Sequence, residues 1–308
     1  MVKSKPRGAS HRARFRKSWQ LWVIISLPLA WLIIFRYIPM YGAQIAFKDF
    51  SIVEGILGSP WIGAANFKRF FDSYQFGRLI SNTIGLSLYH FFAGFPLPVI
   101  LAISLNETLN RSFKKTVQMI TYAPHFISTV VMVAIIMQFL DHRIGIITKL
   151  VQLVGLDAGN IMGKAGLFKT IYVVSDLWQH TGYGSIIYLA ALSSIDPTLH
   201  EAAIVDGATR WQRILHIDFP GILPTAVILL ILRMGRIMNV GFEKVFLLQN
   251  PLNLRTSEVI TTYVYKVGLI QADFAFSAAV GLFNSVINMI LLLMVNRIAR
   301  RLGETSLW

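Results

Sequence analysis

Four polar side chains recur at helical spacing within the otherwise apolar segment 170–194. Asp176, Gln179, His180 and Tyr183 occupy positions i, i+3, i+4 and i+7, so a helix presents all four on one face. A carboxylate, an amide and an imidazole can bind the hydroxyl groups of a polar solute, and an aromatic ring can stack on a sugar ring. The alternative is hydrogen bonding between helices without any solute, with Asp176 paired locally to His180.

Three other apolar segments carry polar side chains of the same kinds. Those of segment 275–296 again share one helical face, which Ser277 and Gly281 extend. Together they define a candidate solute path of Asn82, Tyr89, Tyr122, His125, Asp176, Gln179, Tyr183, Asn284 and Asn288. Arg233 and Arg236 interrupt a further apolar segment. They either contact an anionic substrate or, the interpretation we favour, form an ion pair or extend to a membrane boundary.

Catalytic chemistry finds no support in the residue pattern. Cys is absent, and nothing resembles a nucleophile elbow, a metal site or a pair of catalytic carboxylates. Residues 159–165 have only three residues between their glycines, and Ala in place of Ser or Thr, so they depart from a phosphate-binding loop. The sequence predicts no catalytic residue, no metal site and no enzyme activity.

Composition indicates which elements must position these side chains. Of the 308 residues 55% are hydrophobic and 14% are charged, whereas soluble domains carry about 25% charged residues. Hydrocarbon about 30 Å thick needs roughly 20 apolar residues in a helix. The sequence predicts an all-α integral membrane fold with six transmembrane helices, at 19–38, 79–105, 116–140, 170–194, 221–242 and 275–296.

The net charge of +14 is concentrated at the N-terminus. Seven Lys and Arg residues lie within the first 17 positions, which contain no acidic residue. A basic arm, residues 1–18, directly before an apolar run predicts a cytoplasmic N-terminus, and six spans then place both termini in the cytoplasm. The run continues from Trp19 to Phe35, too long for a cleaved signal peptide, so we expect one membrane domain over 19–308 and no nucleic-acid partner.

The predicted cytoplasmic loop 195–220 has local structure of its own. Asp196 followed by Pro197 is a typical helix start, and Gly207 predicts a stop or a sharp bend. Thr209 can cap a second short helix, after which Pro220 begins the next span. Such a helix–Gly–helix elbow can dock on a soluble partner or lie on lipid headgroups, and the residues alone leave both interpretations open.

The same loop resembles the EAA signature of binding-protein-dependent ABC transporter permeases. That signature reads EAA, three residues, Gly, nine residues and Ile-x-Leu-Pro, and this chain has Phe219 where Leu is usual. In the family this is the coupling helix, which docks on the ATPase subunit. The resemblance assigns coupling to Glu201, Ala202, Ala203, Gly207, Ile217 and Pro220.

A second resemblance lies in the first predicted outer segment. Residues 37–42, 46–50 and 59–67 (YIPMYG, AFKDF and SPWIGAANF) are similar to the N-terminal region of carbohydrate-uptake permeases, most of all the LplB-like branch. Systems of that branch import oligosaccharides. The resemblance therefore implies a type I ABC importer permease-like bundle in the bacterial cytoplasmic (inner) membrane.

The family resemblance also implies partners. They are a homologous second permease subunit in a heterodimer, two ATPase subunits and an extracytoplasmic sugar-binding protein. This chain is then expected to bind no cofactor, because ATP and Mg belong to the ATPase. The alternatives are an ion-coupled secondary transporter with Asp176 and His180 as its proton site, and a membrane scaffold or sensor without a path.

Overall fold

The computed structural model describes residues 19–155 and 159–301. The predicted basic arm 1–18 lies outside this range, so its placement stays a prediction. The described helices are α1 (Trp19–Leu32), α2 (Ile38–Met40), α3 (Gly55–Gly58), α4 (Ala65–Phe71), α5 (Phe76–Gly94), α6 (Pro96–Asn106), α7 (Arg111–Tyr122), α8 (Thr129–Phe139), α9 (Ile146–Leu153), α10 (Phe168–Ser193), α11 (Pro197–Val205), α12 (Arg210–Arg213), α13 (Phe219–Met234), α14 (Phe242–Leu248), α15 (Leu254–Ser257), α16 (Ile260–Tyr265) and α17 (Phe274–Arg301).

Tighter and wider turns extend or join these helices. The 3₁₀ turns are Tyr41–Phe47, Ala123–Phe126, Ile161–Gly163 and Ala165–Leu167, and the π-turns are Ile33–Tyr37, Ile214–Asp218 and Lys266–Ile270. The described residues contain no strand, only one isolated antiparallel bridge between Lys48 and Trp61. The expected all-α fold is confirmed.

Four continuous helical stretches are long and apolar enough to cross a membrane: Trp19–Phe47, Phe76–Asn106, Arg210–Met234 and Phe274–Arg301. The predicted third span, 116–140, is a bent pair of helices in the structure, and its crossing as one span stays a prediction. Arg111–Phe126 and Thr129–Phe139 meet at 105°, because Pro124 lies in a 3₁₀ turn and Ser128 begins a new helix by capping the backbone N–H of Val131.

Helix α10 lies at the centre of the bundle. It has 26 residues, about 39 Å at helical rise, and packs against α5, α6, α7 and α13. Helix α10 is long enough to cross a membrane, but its polar residues make it less apolar than the four stretches above. Asp176 and Gln179 face the neighbouring helices, so these two residues need not meet lipid. The predicted count of six spans requires both the bent pair and α10 as spans and stays a prediction.

The fifth predicted span, 221–242, differs from the structure at both ends. Its helix begins at Arg210, continues through the π-turn and ends at Met234. A turn follows, with the backbone N–H of Asn239 donating to Arg236 at 2.9 Å, before α14 begins at Phe242. Hydropathy could not locate this end, because Ile237, Met238 and Val240 remain apolar beyond it.

Small residues allow α10 to approach its neighbours closely. A Cβ on Gly182 would overlap the backbone carbonyl of Thr121 on α7. On the elbow side of the bundle, Tyr188 and Leu192 of α10 are buried against Ala102 of α6 and Ile222 of α13. These contacts hold α10 in register with the two helices that flank its polar stripe.

The first prediction concerns this close approach. Gly182→Ala is expected to lower the thermal stability of the purified protein, because relieving the overlap forces backbone shifts that cost about 1–3 kcal/mol. The matched control is Gly281→Ala on α17, where an added Cβ meets no atom within 4 Å. That change should be neutral or stabilising, since Ala is favoured over Gly in helices by about 1 kcal/mol. Equal melting temperatures for the two variants would contradict the packing argument.

Candidate functional site

The first helix of the elbow, residues 195–220, begins as the sequence predicts. The Asp196 carboxylate accepts a hydrogen bond of 3.0 Å from the backbone N–H of Thr198, and Pro197 occupies the first turn. That hydrogen bond holds the pKa of Asp196 below its ordinary value. A depressed carboxyl pKa means that the cap is fully formed at neutral pH and is lost only as the pH falls through that lowered value.

A left-handed glycine ends this helix and turns the chain. Gly207 has φ +77°, a conformation that costs residues with a Cβ about 1–2 kcal/mol. Ala208 donates its N–H to the carbonyl of Ala203 at 2.8 Å, and Gly207 donates to Ile204 at 3.0 Å, so the last carbonyls of α11 are satisfied. The predicted bend at Gly207 is confirmed.

The second arm of the elbow is continuous with a long apolar helix. Thr209 and Gln212 form a capping box at its start, which confirms the predicted cap. From Arg210 the helix continues without interruption to Met234, so Pro220 lies inside it, and the start of the membrane span at Pro220 stays a prediction. The π-turn Ile214–Asp218 ends at the residue before Phe219 and Pro220, which begin the next α-helical stretch, and its wider ring accommodates a proline that an α-helix interior disfavours.

A buried acid connects the two arms of the elbow. Asp218 is fully buried at the base of the second arm, and its carboxylate lies 3.4 Å from Nε2 of His200 on α11. Neither carboxylate oxygen accepts a hydrogen bond from a described residue. The contact between Asp218 and His200 links α11 to the base of the long helix, so it couples the orientation of the two arms.

The predicted coupling residues lie on an open surface. No residue of α11 is buried; Glu201, Ala202, Gly207 and Pro220 are exposed, whereas Ala203 and Ile217 are partly buried. Val205 and Trp211 are 87% and 80% exposed. Exposed large apolar side chains on a well-ordered helix indicate a surface that another molecule covers.

A cluster of ionisable groups surrounds Asp176 on α10. Its Oδ2 lies 2.7 Å from Nε2 of His90 on α5, and its Oδ1 lies 3.3 Å from Nζ of Lys244 on α14. His180, one turn along α10, places Nδ1 3.3 Å from the same Oδ1. The predicted local pair of Asp176 with His180 is therefore confirmed, but it is one of three contacts.

Lys244 is the most deeply buried member of this cluster, with its side chain 4% exposed. Its ammonium also donates to Oε1 of Gln179 at 3.4 Å and lies 5.8 Å from the ring centroid of Tyr172. Gln179 in turn donates to the carbonyl of Ile127 at 3.0 Å. The sequence-predicted Gln179 thus positions Lys244 and the α7–α8 junction, and faces no open space.

Aromatic rings form a platform beside the cluster. His125 and Tyr183 stack with centroids 3.8 Å apart and planes 5° apart, and His180 meets His125 edge-on at 5.5 Å. Tyr183 is 45% exposed and the neighbouring Phe126 is 78% exposed. Exposed, rigid rings are the surface on which a sugar ring can stack.

Other predicted path residues have structural partners. Asn82 is buried and donates to the backbone carbonyls of Arg255 and Glu258. Asn284 and Asn288 are buried and donate to the side chain of Asn239, beyond the end of α13. These three amides join helices to loops. The remaining two, Tyr89 (40% exposed) and the partly buried Tyr122, have accessible side chains.

Two cavities meet at the charged cluster. One has a volume of about 300 Å³ and is lined by residues including His90, Asp176, His180, Tyr188 and Arg233. The other, of about 210 Å³, is lined by residues including His90, Tyr172, Arg233, Arg236 and Asn239.

Sequence reasoning did not select His90 or Lys244. A histidine inside an apolar segment is a signal that could have selected His90. Lys244 gives no such signal, since it lies in a short helix beyond the predicted spans and meets Asp176 only through tertiary packing.

Comparison with known proteins extends over nearly the whole chain. A family model described as "Binding-protein-dependent transport system inner membrane component" matches residues 94–304. Protein LplB of Bacillus subtilis (strain 168) is 38% identical over 302 residues, which cover 98% of this chain and 95% of that protein. The polygalacturonan/rhamnogalacturonan transport system permease protein YteP of the same organism is 38% identical over 288 residues, covering 94% and 90%.

Two solved structures have the same fold. One is a bacterial ABC transporter involved in the import of the acidic polysaccharide alginate; a chain of it is 40% identical, with a TM-score of 0.87, and the match covers 94% of this chain and 98% of that one. The other is a bacterial alginate ABC transporter in complex with an alginate pentasaccharide-bound periplasmic protein. It gives a TM-score of 0.89 at 38% identity, covering 97% and 100%.

The second prediction concerns the buried pair. Lys244→Met alone is expected to destabilise the protein by about 3–5 kcal/mol, because it leaves Asp176 desolvated without its ammonium partner. Adding Asp176→Asn should recover part of that loss, which melting curves of the single and double variants would measure. Arg69→Gln is the control: its pair with Asp273 is exposed and should contribute about 0–1 kcal/mol. Strict additivity in the double variant would contradict a direct Asp176–Lys244 interaction.

Proposed function

This chain belongs to the family of binding-protein-dependent transport system inner membrane components, multi-pass proteins of the cytoplasmic membrane, and on that premise we propose its specific role. It is the permease subunit through which an ATP-binding-cassette importer moves oligosaccharides into the bacterial cell. The names of the relatives support a carbohydrate cargo, since they include a polygalacturonan/rhamnogalacturonan permease and alginate importers. The observation that carries the proposal is the elbow.

The charge of the elbow favours a protein partner over lipid headgroups. Its first arm, residues 195–209, contains Asp196, Glu201 and Asp206 but no Lys or Arg, and the rest of the elbow adds Asp218 against Arg210 and Arg213, so acidic residues remain in excess. A helix that lies on an anionic membrane surface is typically rich in basic residues on its polar face. The acidic elbow with exposed apolar side chains instead suits a cleft on a soluble subunit, with Glu201 opposite a basic residue of that subunit.

The shape of the elbow allows it to transmit motion. Its second arm, Arg210–Met234, is one helix of 25 residues, about 37 Å long. The far end of this helix carries Arg233, which lines both cavities at the charged cluster. Movement of α11 by an ATPase subunit therefore reaches the solute path through a single rigid element.

The proposed partners are those of an ATP-driven importer. They are a homologous second permease subunit, two ATPase subunits and an extracytoplasmic sugar-binding protein, with ATP and Mg bound by the ATPase. A relative crystallised with a periplasmic protein supports the binding-protein partner. The burial pattern of α1 supports a second permease, since no residue of Trp19–Leu32 is buried and this helix packs on none of the long described helices.

An ion-coupled secondary transporter is the alternative, for which Asp176 and His180 are the proton site. The observation that favours it is the placement of two histidines on one carboxylate. The elbow has no role in such a mechanism.

The third prediction tests the elbow as the coupling element. Gly207→Val is expected to abolish most cargo-stimulated ATP hydrolysis in the assembled transporter, because a β-branched residue does not tolerate φ +77°. Gly207→Asn is the matched variant, since Asn adopts left-handed backbone at low cost and should retain coupling. Glu201→Lys should weaken ATPase binding in co-purification, whereas Glu243→Lys, an equal charge change at an exposed acid outside the elbow, should not.

Both elbow variants must first be shown to insert normally, by membrane yield and by gel filtration of the purified chain. Normal stimulated hydrolysis in Gly207→Val and in Glu201→Lys would reject the assignment of the elbow.

The fourth prediction separates the two energy sources. Uptake into proteoliposomes that contain the complete complex is expected to require internal ATP and to persist when an uncoupler removes the proton gradient. The ion-coupled alternative requires the reverse: uptake without ATP that collapses with the uncoupler. Radiolabelled oligosaccharide retained on filters measures both conditions in one preparation.

A further inference from the structure

The two cavities at the charged cluster are stacked along the bundle. The 300 Å³ cavity is lined by later residues of α10 such as Gly184 and Tyr188, which lead to the elbow. The 210 Å³ cavity is lined instead by Tyr172, near the start of α10, and by residues 236–241, which follow α13. Arg233 and His90 line both. A solute that moves along this face of the subunit must pass these two side chains.

Arg233 is a cation without a protein counterion at this point. Its side chain is partly buried, yet it forms no ion pair and no hydrogen bond with any residue in 19–155 or 159–301. Asp176 and Tyr188 are its electrostatic neighbours. The described residues give Arg233 no ion pair, one of the two arrangements favoured from the sequence, and extension to a membrane boundary stays a prediction.

The Asp176 carboxylate is already occupied by other groups. Lys244 matches its charge, and His90 and His180 contact its two oxygens. The guanidinium of Arg233 thus remains as excess positive charge, joined in the smaller cavity by the exposed Arg236. A partly desolvated guanidinium with accessible donors is complementary to an anion, and it matches a planar carboxylate best because two parallel hydrogen bonds can form.

We propose that Arg233 binds the carboxylate of acidic sugar units as they pass between the two cavities, and so selects uronate-containing oligosaccharides. The inference rests on the proposed function and names the cargo class for it. The aromatic platform of His125 and Tyr183 adjoins the same cluster through His180. A carboxylate on a sugar in either cavity can pair with Arg233, which lines both, whereas a neutral sugar leaves the guanidinium unpaired.

The experiment uses the complete complex in proteoliposomes with its binding protein. The probes are trigalacturonate and the same trisaccharide after chemical reduction of its carboxyl groups to alcohols, which removes charge and keeps size. Cargo-stimulated ATP hydrolysis is measured for the unmodified protein, for Arg233→Gln and Arg233→Lys, and for Arg297→Gln. The last is the control, because Arg297 is exposed on α17 and lines neither of the two cavities.

Arg233→Gln is expected to raise the half-maximal concentration of trigalacturonate about tenfold or more, since a charge-assisted hydrogen bond is lost. Arg233→Lys should retain an intermediate response because it keeps the charge without the planar fork. Arg297→Gln should behave as the unmodified protein. Responses to the reduced trisaccharide should be the same in all four proteins.

Three outcomes overturn the inference. The first is an unchanged trigalacturonate response in Arg233→Gln. The second is an equal loss for both probes, which identifies a purely structural role for Arg233. The third is stimulation of the unmodified complex by neutral oligosaccharides but not by trigalacturonate; this leaves the importer function standing. Failure of every oligosaccharide to stimulate an assembled complex rejects the proposed function itself.

Discussion

The buried pair of Asp176 and Lys244 constrains the rest of the bundle. A carboxylate and an ammonium removed from water are tolerable only when each faces the other and further polar groups complete their shells. Here His90, Gln179 and Tyr172 supply those groups. The pair thereby fixes α5, α10 and α14 in one relative arrangement, and the two cavities are the space left around it.

The polar side chains inside this membrane protein have two roles. Some fix the arrangement of helices and loops, and others are open to a solute. Asn82, Asn284 and Asn288 bind backbone and side chains of loops, so they determine where the turns beyond the helices lie. Groups with accessible surface are fewer: Arg233, Arg236, His180 and the rings beside them. Separating amides that bond to other parts of the chain from a guanidinium that does not distinguishes the residues that hold the bundle together from those that can meet a cargo.

Local signals in the sequence predicted local structure well. The caps at Asp196 and Thr209 and the bend at Gly207 depend on hydrogen bonds within a few residues, so the chain encodes them directly. Pro220 lies inside a continuous helix, which the sequence did not predict, because the π-turn before it widens the backbone.

Contacts between residues that lie far apart in the sequence could not be predicted from these local signals. Helical spacing placed Asn284 and Asn288 on one face, but Asn239, which accepts from both, follows the end of α13 and has no periodic relation to them. Lys244 likewise reaches Asp176 only once α14 has folded back on α10. The bend at Pro124, inside the predicted span 116–140, was likewise not predicted, since hydropathy records apolarity and carries no information on direction.

The π-turn also sets the rotational phase of the long helix. Each residue of an α-helix advances its side chains by about 100° around the axis, so the wider turn at Ile214–Asp218 offsets every later side chain from the face that a regular helix would give it. Arg233 faces the cavities in that phase. The direction in which Arg233 points from the helix axis is therefore set several turns earlier, by the backbone hydrogen bonding of the π-turn that follows the Gly207 bend. That segment itself lines neither cavity.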